Sequence, residues 1–504
     1  MMGYTSLEFA FLVLAGLLIS SLVRQQGRQW VLLAVSLVFM SMAGGQWTVV
    51  FWFISTVAGF LAARLLTACP ASGGEQAGSG FHGVPGHLGK RWLLFAAVAF
   101  QLGLLAYFKY ANLPHYILEA WGELTGRPYE FEEAERISLL GISFYTLMII
   151  GYEIDVYRGE TAAVRSLPAF SLFTGYFGHF VQGPIDTYQE TGQSLACPGK
   201  VSFGDVQAGS LEILAGLFKK LVVSERLSVI VDTVYGDFAS YKGWYLLFAA
   251  VAFSLQLYTD FSGCMDVVAG VSRLFGVRMA KNFRQPYFSE SISEFWRRWH
   301  ITLGAFLRKY VYIPLGGNRK GKVRKYFNIV AVFFLSGLWH GGRWTFIIGT
   351  GLLQCAYMIA GEILEPLFSW FYRLSKIRRD SVVMKSVRRV RTFLLVTIGF
   401  VLFRADSLTM AGGILTGMFG ASCYPEYGEG VFCCGLGRAD FGVLLVSLAI
   451  LLFMSVWREK YGEKPVVAGE GRRTALCFAS LFAVLLFGFY GRGYDTAAFI
   501  YSRF

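Results

Sequence analysis

The stretch "NIVAVFFLSGLWHGG", residues 328–342, decides how the chain is read. Ile329 to Leu335 is an apolar run of the kind that faces lipid, and it closes on His340 beside Gly337, Gly341 and Gly342. An ionisable side chain at membrane depth is rare unless it carries function. Small residues around it let backbones or a substrate approach closely.

Working outward, 55% of the 504 residues are hydrophobic and only 16% are charged, which excludes an ordinary soluble domain. Long apolar runs, instead of short alternating segments, exclude a transmembrane barrel. Spans are expected near 7–23, 30–44, 46–67, 92–108, 137–156, 207–222, 244–261, 327–341, 344–363, 393–405, 440–457 and 474–490. Several are shorter than the ~20 residues that cross a bilayer upright. The first lacks a basic n-region and a cleavage site, so it reads as a span and not as a signal peptide. The expected fold class is all-α: a polytopic transmembrane helical protein with re-entrant and interfacial helices around a central passage. Residues 1–504 read as one integral-membrane domain with a core at about 140–411.

Charge orients the chain. Arg24 and Arg28 follow the first span, and 278–325 holds twelve Lys/Arg against Glu290 and Glu294. Residues 373–391 hold eight basic groups against Asp380, whereas 110–135 carries six glutamates against Arg127. The basic segments are expected at the cytoplasmic face, and 110–135 and 406–439 outside. The basic loop serves either as a topology signal or as a platform for an anionic donor through Arg319, Lys320 and Lys322. Lys219 and Lys220 fit the map poorly and mark a tilted or incomplete helix. The cysteines form no CxxC or Cys/His array, so no metal site is expected. Cys264, Cys355 and Cys477 are expected to pack in helices, and Cys423, Cys433 and Cys434 share an external loop with a possible disulfide. His82 and His87 fall in a Gly/Ser-rich loop at 70–90 and read as solvated.

The informative part runs from 173 to 345. In "FTGYFGHFVQGPIDTYQE" (173–190), Gly183-Pro184 breaks any helix, so the chain is expected to enter the membrane and turn back. In "QLYTDFSGCMDVVAG" (256–270), Asp260 and Asp266 are costly at that depth unless tied to Arg or backbone N–H groups that hold a broken helix. Ser291 and Glu294 have capping-box spacing. They start a helix on which Trp296, Trp299 and His300 share one face, suited to the headgroup boundary or to plain amphipathic packing. Acid–base catalysis, proton transport and helix packing remain open for His300 and His340 on residue chemistry alone.

Taken together, these segments resemble the membrane-bound O-acyltransferase family. The resemblance is carried by Gly-Pro-Ile-x-x-Tyr (183–188), Tyr-x-Asp-Phe-Ser-Gly (258–263) and Glu-Phe-Trp-Arg-Arg-Trp-His (294–300). Tyr-Ile-Pro-Leu-Gly-Gly (312–317), Trp-His-Gly (339–341) and "FVLFRADSLTMA" (400–411) complete it. The order is that of the bacterial polysaccharide-modifying branch, nearest its alginate O-acetylating members and further from the teichoic-acid D-alanyl transferases. The resemblance implies catalytic roles for His340 and His300, and a substrate passage lined by Trp299, Trp339 and Asp260. It implies an acyl thioester donor on the cytoplasmic side, acetyl-CoA or an acyl-carrier protein, and no bound cofactor. The acceptor is then an extracytoplasmic polysaccharide or a secreted or anchored relay protein. Membrane lipids are the other partners, and nucleic acid is not one. D-alanyl transfer to teichoic acid and a transporter or flippase without chemistry are the alternatives. A transporter would show repeated halves, and none stand out.

Overall fold

The computed structural model describes residues 2–68, 86–127, 129, 131, 137, 139–375, 378–424 and 430–490, with the side chains of 86, 87, 120, 123 and 124 excepted. His82, the His87 side chain, Glu130, Glu132, Glu133 and Glu135 lie outside the described residues.

Among the described residues every named element is helical. The chain begins with α1 (Leu7–Leu22), α2 (Arg28–Ala68), α3 (Gly86–Lys109), α4 (Leu113–Thr125) and α5 (Ile142–Arg158). Short helices α6 (Leu167–Gly175), α7 (Phe177–Phe180) and α8 (Gln193–Ala196) lead to α9 (Phe203–Leu217), α10 (Glu225–Gly236) and α11 (Trp244–Leu274). Two seven-residue helices, α12 (Ile292–Arg298) and α13 (Ile301–Leu307), precede α14 (Gly321–His340) and α15 (Trp344–Phe346). The rest comprises α16 (Leu353–Ile363), α17 (Glu365–Ser375), α18 (Val382–Arg404), α19 (Leu408–Gly417), α20 (Arg438–Tyr461) and α21 (Glu470–Phe487).

Five helical stretches among these are long and apolar enough to cross a membrane, namely 25–68, 88–109, 244–274, 344–363 and 438–461. Leu445, Val446 and Phe453 on α20 stay exposed, as do Phe11, Leu14 and Leu18 on α1, as lipid-facing surface requires. The spans expected at 30–44 and 46–67 form one element broken at Gly45, whose φ of 75° and ψ of 175° suit glycine alone.

Two departures from the sequence reading shape the interior. Helix α11 is unbroken over 31 residues, so Asp260 and Asp266 do not flank a break. The interruption falls opposite, where the backbone widens into a π-turn at 218–224 between α9 and α10. That turn turns Lys219 and Lys220 inward: Lys219 Nζ lies 2.7 Å from Asp266, and Lys220 Nζ 2.6 Å from Asp260 and 2.7 Å from Glu225. Lysines, not arginines, hold the two carboxylates. Glycine makes room for this. A side chain at Gly263 would meet Lys219 Cβ at 3.1 Å and the Lys220 backbone nitrogen at 3.3 Å.

The two larger apolar cores among the described residues lie around α1, α2, α5 and α6 and around α10, the first half of α11, α12 and α18. Polar ties gather the connections into two sets. In one, Arg28 donates to the Gly199 carbonyl (3.2 Å), the Gly199 N–H donates to Gly276, and Arg298 pairs with Glu459 and Arg388 with Glu290. In the other, the Lys242 N–H donates to Cys423, Arg226 pairs with Asp440 and Arg404 with Asp232. Helices α11, α18 and α20 each run from one set to the other, so the sets lie at opposite ends of the bundle. Arg28 and the basic segments 278–325 and 373–391 share the first set, and Cys423 of 406–439 lies in the second. Cys264, Cys355 and Cys477 pack in α11, α16 and α21, whereas Cys423, Cys433 and Cys434 are free thiols and form no disulfide.

Candidate active site

His340 is the last residue of α14 and is buried. Helix α14 reaches this depth because Gly337 lets it close on the neighbouring turn; a Cβ there would sit 2.7 Å from Ile347 Cα. His300 arrives from the other side, and its geometry corrects the sequence reading. The helix expected through Trp296–His300 stops at Arg298. Trp299 is extended (φ −110°, ψ 130°) and His300 is left-handed (φ 46°, ψ 53°) before α13 resumes.

A left-handed non-glycine residue persists only where its surroundings over-determine it. Here the neighbouring segment does so. Arg284 N–H donates to Arg298 O (2.9 Å), and Ile301 N–H to Asn282 O (3.0 Å). The buried Asn282 Oδ1 accepts from Thr302 N (3.1 Å) and Oγ1 (2.8 Å). The 173–190 segment adds a bond from Ile185 N–H to Thr302 Oγ1 at 3.0 Å. Ser291 Oγ caps α12 by accepting from Glu294 N–H, but the Glu294 carboxylate accepts from Glu290 N–H and leaves the reciprocal half of the box unmade.

The result brings the two histidine rings to 6.4 Å between centroids, 40 positions apart in sequence. They sit at the seam of the two cores. His300 packs against Phe261 (5.1 Å) and Trp339 (5.5 Å), and His340 against Phe403 (5.4 Å). Neither ring nitrogen of His300 has a hydrogen-bond partner among the described residues. Part of the 278–325 segment is therefore buried in the bundle and not in a cytoplasmic loop.

The other expected site residues separate. Trp339 packs against both histidines. Trp299 is walled in by Phe283, Phe295 and Phe400. Asp260 lies on α11, held by Lys220, which lines a cavity of about 430 Å³. Arg319, Lys320 and Lys322 are exposed at the start of α14. Twenty residues of helix put them ~30 Å from His340, so they are not part of the histidine site.

The cavity opens beside His340 at the second end of the bundle. Lys109, Tyr116, Lys220, Asp232, Arg343 and Arg404 contribute to its wall, and Gly341 and Phe403 close it toward His340. Lys109, which the sequence reading missed, ends α3 there. Its ammonium donates to the Trp339 carbonyl at 2.7 Å and to Ser143 Oγ at 3.0 Å. A lone lysine closing the apolar run of 92–108 was its only mark in the sequence. Asn282 carried none.

Comparison with known proteins follows the same residues. The pattern of the membrane-bound O-acyltransferase family matches residues 158–403. A probable alginate O-acetylase of Pseudomonas syringae is 33% identical over 392 residues, covering 76% of this chain and 70% of the relative. A peptidoglycan O-acetyltransferase of Helicobacter pylori is 30% identical over 375 residues, covering 69% and 67%. A teichoic acid D-alanyltransferase of Bacillus subtilis is 24% identical over 323 residues, covering 60% and 80%.

Proposed function

The chain belongs to the membrane-bound O-acyltransferase family, and from that premise we propose that it moves an acetyl group from a cytoplasmic thioester to a hydroxyl presented outside. The acceptor is an extracytoplasmic polysaccharide, or a relay protein that hands the group on. The observation that carries this reading is the meeting of His300 and His340 at the seam between the cores, beside a cavity at one end of the bundle and far from the basic turn at the other.

In this reading the donor approaches from the basic end. Arg319, Lys320 and Lys322 attract its phosphates, and acetyl-CoA is the donor that best suits them. A thioester needs little activation, whereas the attacking hydroxyl must lose its proton. Neutral imidazole, with an ordinary pKa near ~6.5, takes that proton at neutral pH, and His340, the residue before Gly341 of the cavity wall, is the base in this reading. His300, with both ring nitrogens unengaged among the described residues, orients the donor. Trp339 packs against both rings, and Trp299, anchored among Phe283, Phe295 and Phe400, fixes the chain that carries His300. Asp260 acts through Lys220 at the acceptor cavity.

The B. subtilis relative favours a second reading, D-alanyl transfer to teichoic acid. Mass spectrometry of surface polymers from cells with and without the gene separates the two. Loss of O-acetyl groups is the expected result, loss of D-alanyl esters would favour the second reading, and an unaltered polymer profile would overturn both.

A further inference from the structure

We infer that Lys109 is a second catalytic group of this site, supplying the positive charge that stabilises the oxyanion of acyl transfer. The inference rests on His340 being the general base. Two hydrogen bonds hold Lys109 next to the His340 segment. One hydrogen bond goes to the carbonyl of Trp339, the residue before His340, and one to Ser143 on α5. The ammonium also lies 5.5 Å from the Trp339 ring centre. An ammonium has three N–H donors. Two are engaged among the described residues, and the side chain lines the cavity at Gly341, which leaves the third for a bound group. Ordering a lysine at the end of an apolar helix costs side-chain entropy and desolvation. A purely structural tie between α3, α5 and α14 could be made by a neutral side chain.

The step balances as follows. The acceptor oxygen bonds to the thioester carbonyl carbon while its proton passes to the His340 imidazole. The carbonyl π pair moves onto oxygen, and that oxyanion accepts a hydrogen bond from the Lys109 ammonium. The carbonyl then re-forms, the C–S bond breaks, and the leaving sulfur takes the proton back from the imidazolium. An ester and a thiol result.

Lys109→Met, Lys109→Gln and Lys109→Arg test this beside His340→Ala, with turnover of labelled acetyl-CoA in membranes normalised to folded protein. Removing one oxyanion donor costs ~10²–10³-fold in kcat. That loss is expected for both Met and Gln, with donor KM little changed, and Arg should recover a substantial part. Gln retains hydrogen-bonding capacity without charge, so wild-type turnover in Lys109→Gln would make the role structural and overturn the inference. A loss carried by KM alone would overturn it too. If His340→Ala keeps wild-type turnover, the general-base reading fails whatever Lys109 does. If His340→Ala is silent while Lys109→Gln is normal, only the Lys109 inference fails.

Discussion

Lys220 and Asp260 show what single residues cost in this interior. Both are buried, at 3% and 0% exposure, and their charges meet at 2.6 Å. Removing one partner of such a pair leaves an uncompensated charge and costs about 3–5 kcal/mol, whereas replacing both by apolar groups is often neutral. Lys220→Met alone should therefore lower the melting temperature in detergent sharply, and Lys220→Met with Asp260→Leu and Glu225→Gln, because Glu225 shares the same ammonium, should recover most of it. A triple variant no better than the single one would mean that the cluster does not act as a unit. Sequence showed the need for a partner at Asp260 but named the wrong cation, because the π-turn that carries Lys220 inward leaves no periodicity to read. His300 is the same lesson. Its place in the motif was legible, but its left-handed backbone depends on Asn282, 20 positions from Thr302.

At the scale of elements, α9 and α11 pack along a seam of glycines seven residues apart on each helix. An added Cβ at Gly216 would lie 2.4 Å from the Gly263 carbonyl, and one at Gly270 2.5 Å from that of Gly209. Close backbone approach of this kind substitutes packing for the hydrophobic drive that lipid removes. Gly216→Ala should cost about 1–3 kcal/mol by overpacking. Gly204→Ala, where the nearest atom would be 3.7 Å away, should be harmless. Equal melting temperatures for the two variants would remove the seam from the account. The long helices were legible from apolar runs, including the Gly45 break inside α2, because length and composition set them; the span expected at 207–222 was not, since α9 ends at Leu217 and a π-turn follows. The pairing of their faces was not, since glycine spacing names no partner.

Across the whole molecule, the bundle has a basic end, a cavity at the other, and two histidines that meet inside it. Charge asymmetry along the sequence anticipated which connections share an end, because like-sided loops carry like charge whatever their tertiary neighbours. It did not anticipate that His300 leaves the basic segment to meet His340, or that Lys109 reaches Trp339 across 230 positions. Such contacts follow from packing of the two cores. The claim on which the rest depends is that His340 removes the acceptor proton. Acyl transfer from labelled acetyl-CoA should be compared in membranes holding equal amounts of folded wild-type protein and His340→Ala. Loss of a general base lowers the rate by ~10²–10⁴-fold, so the variant should insert and fold yet transfer acetyl groups near background. Turnover close to wild type in His340→Ala would contradict the account.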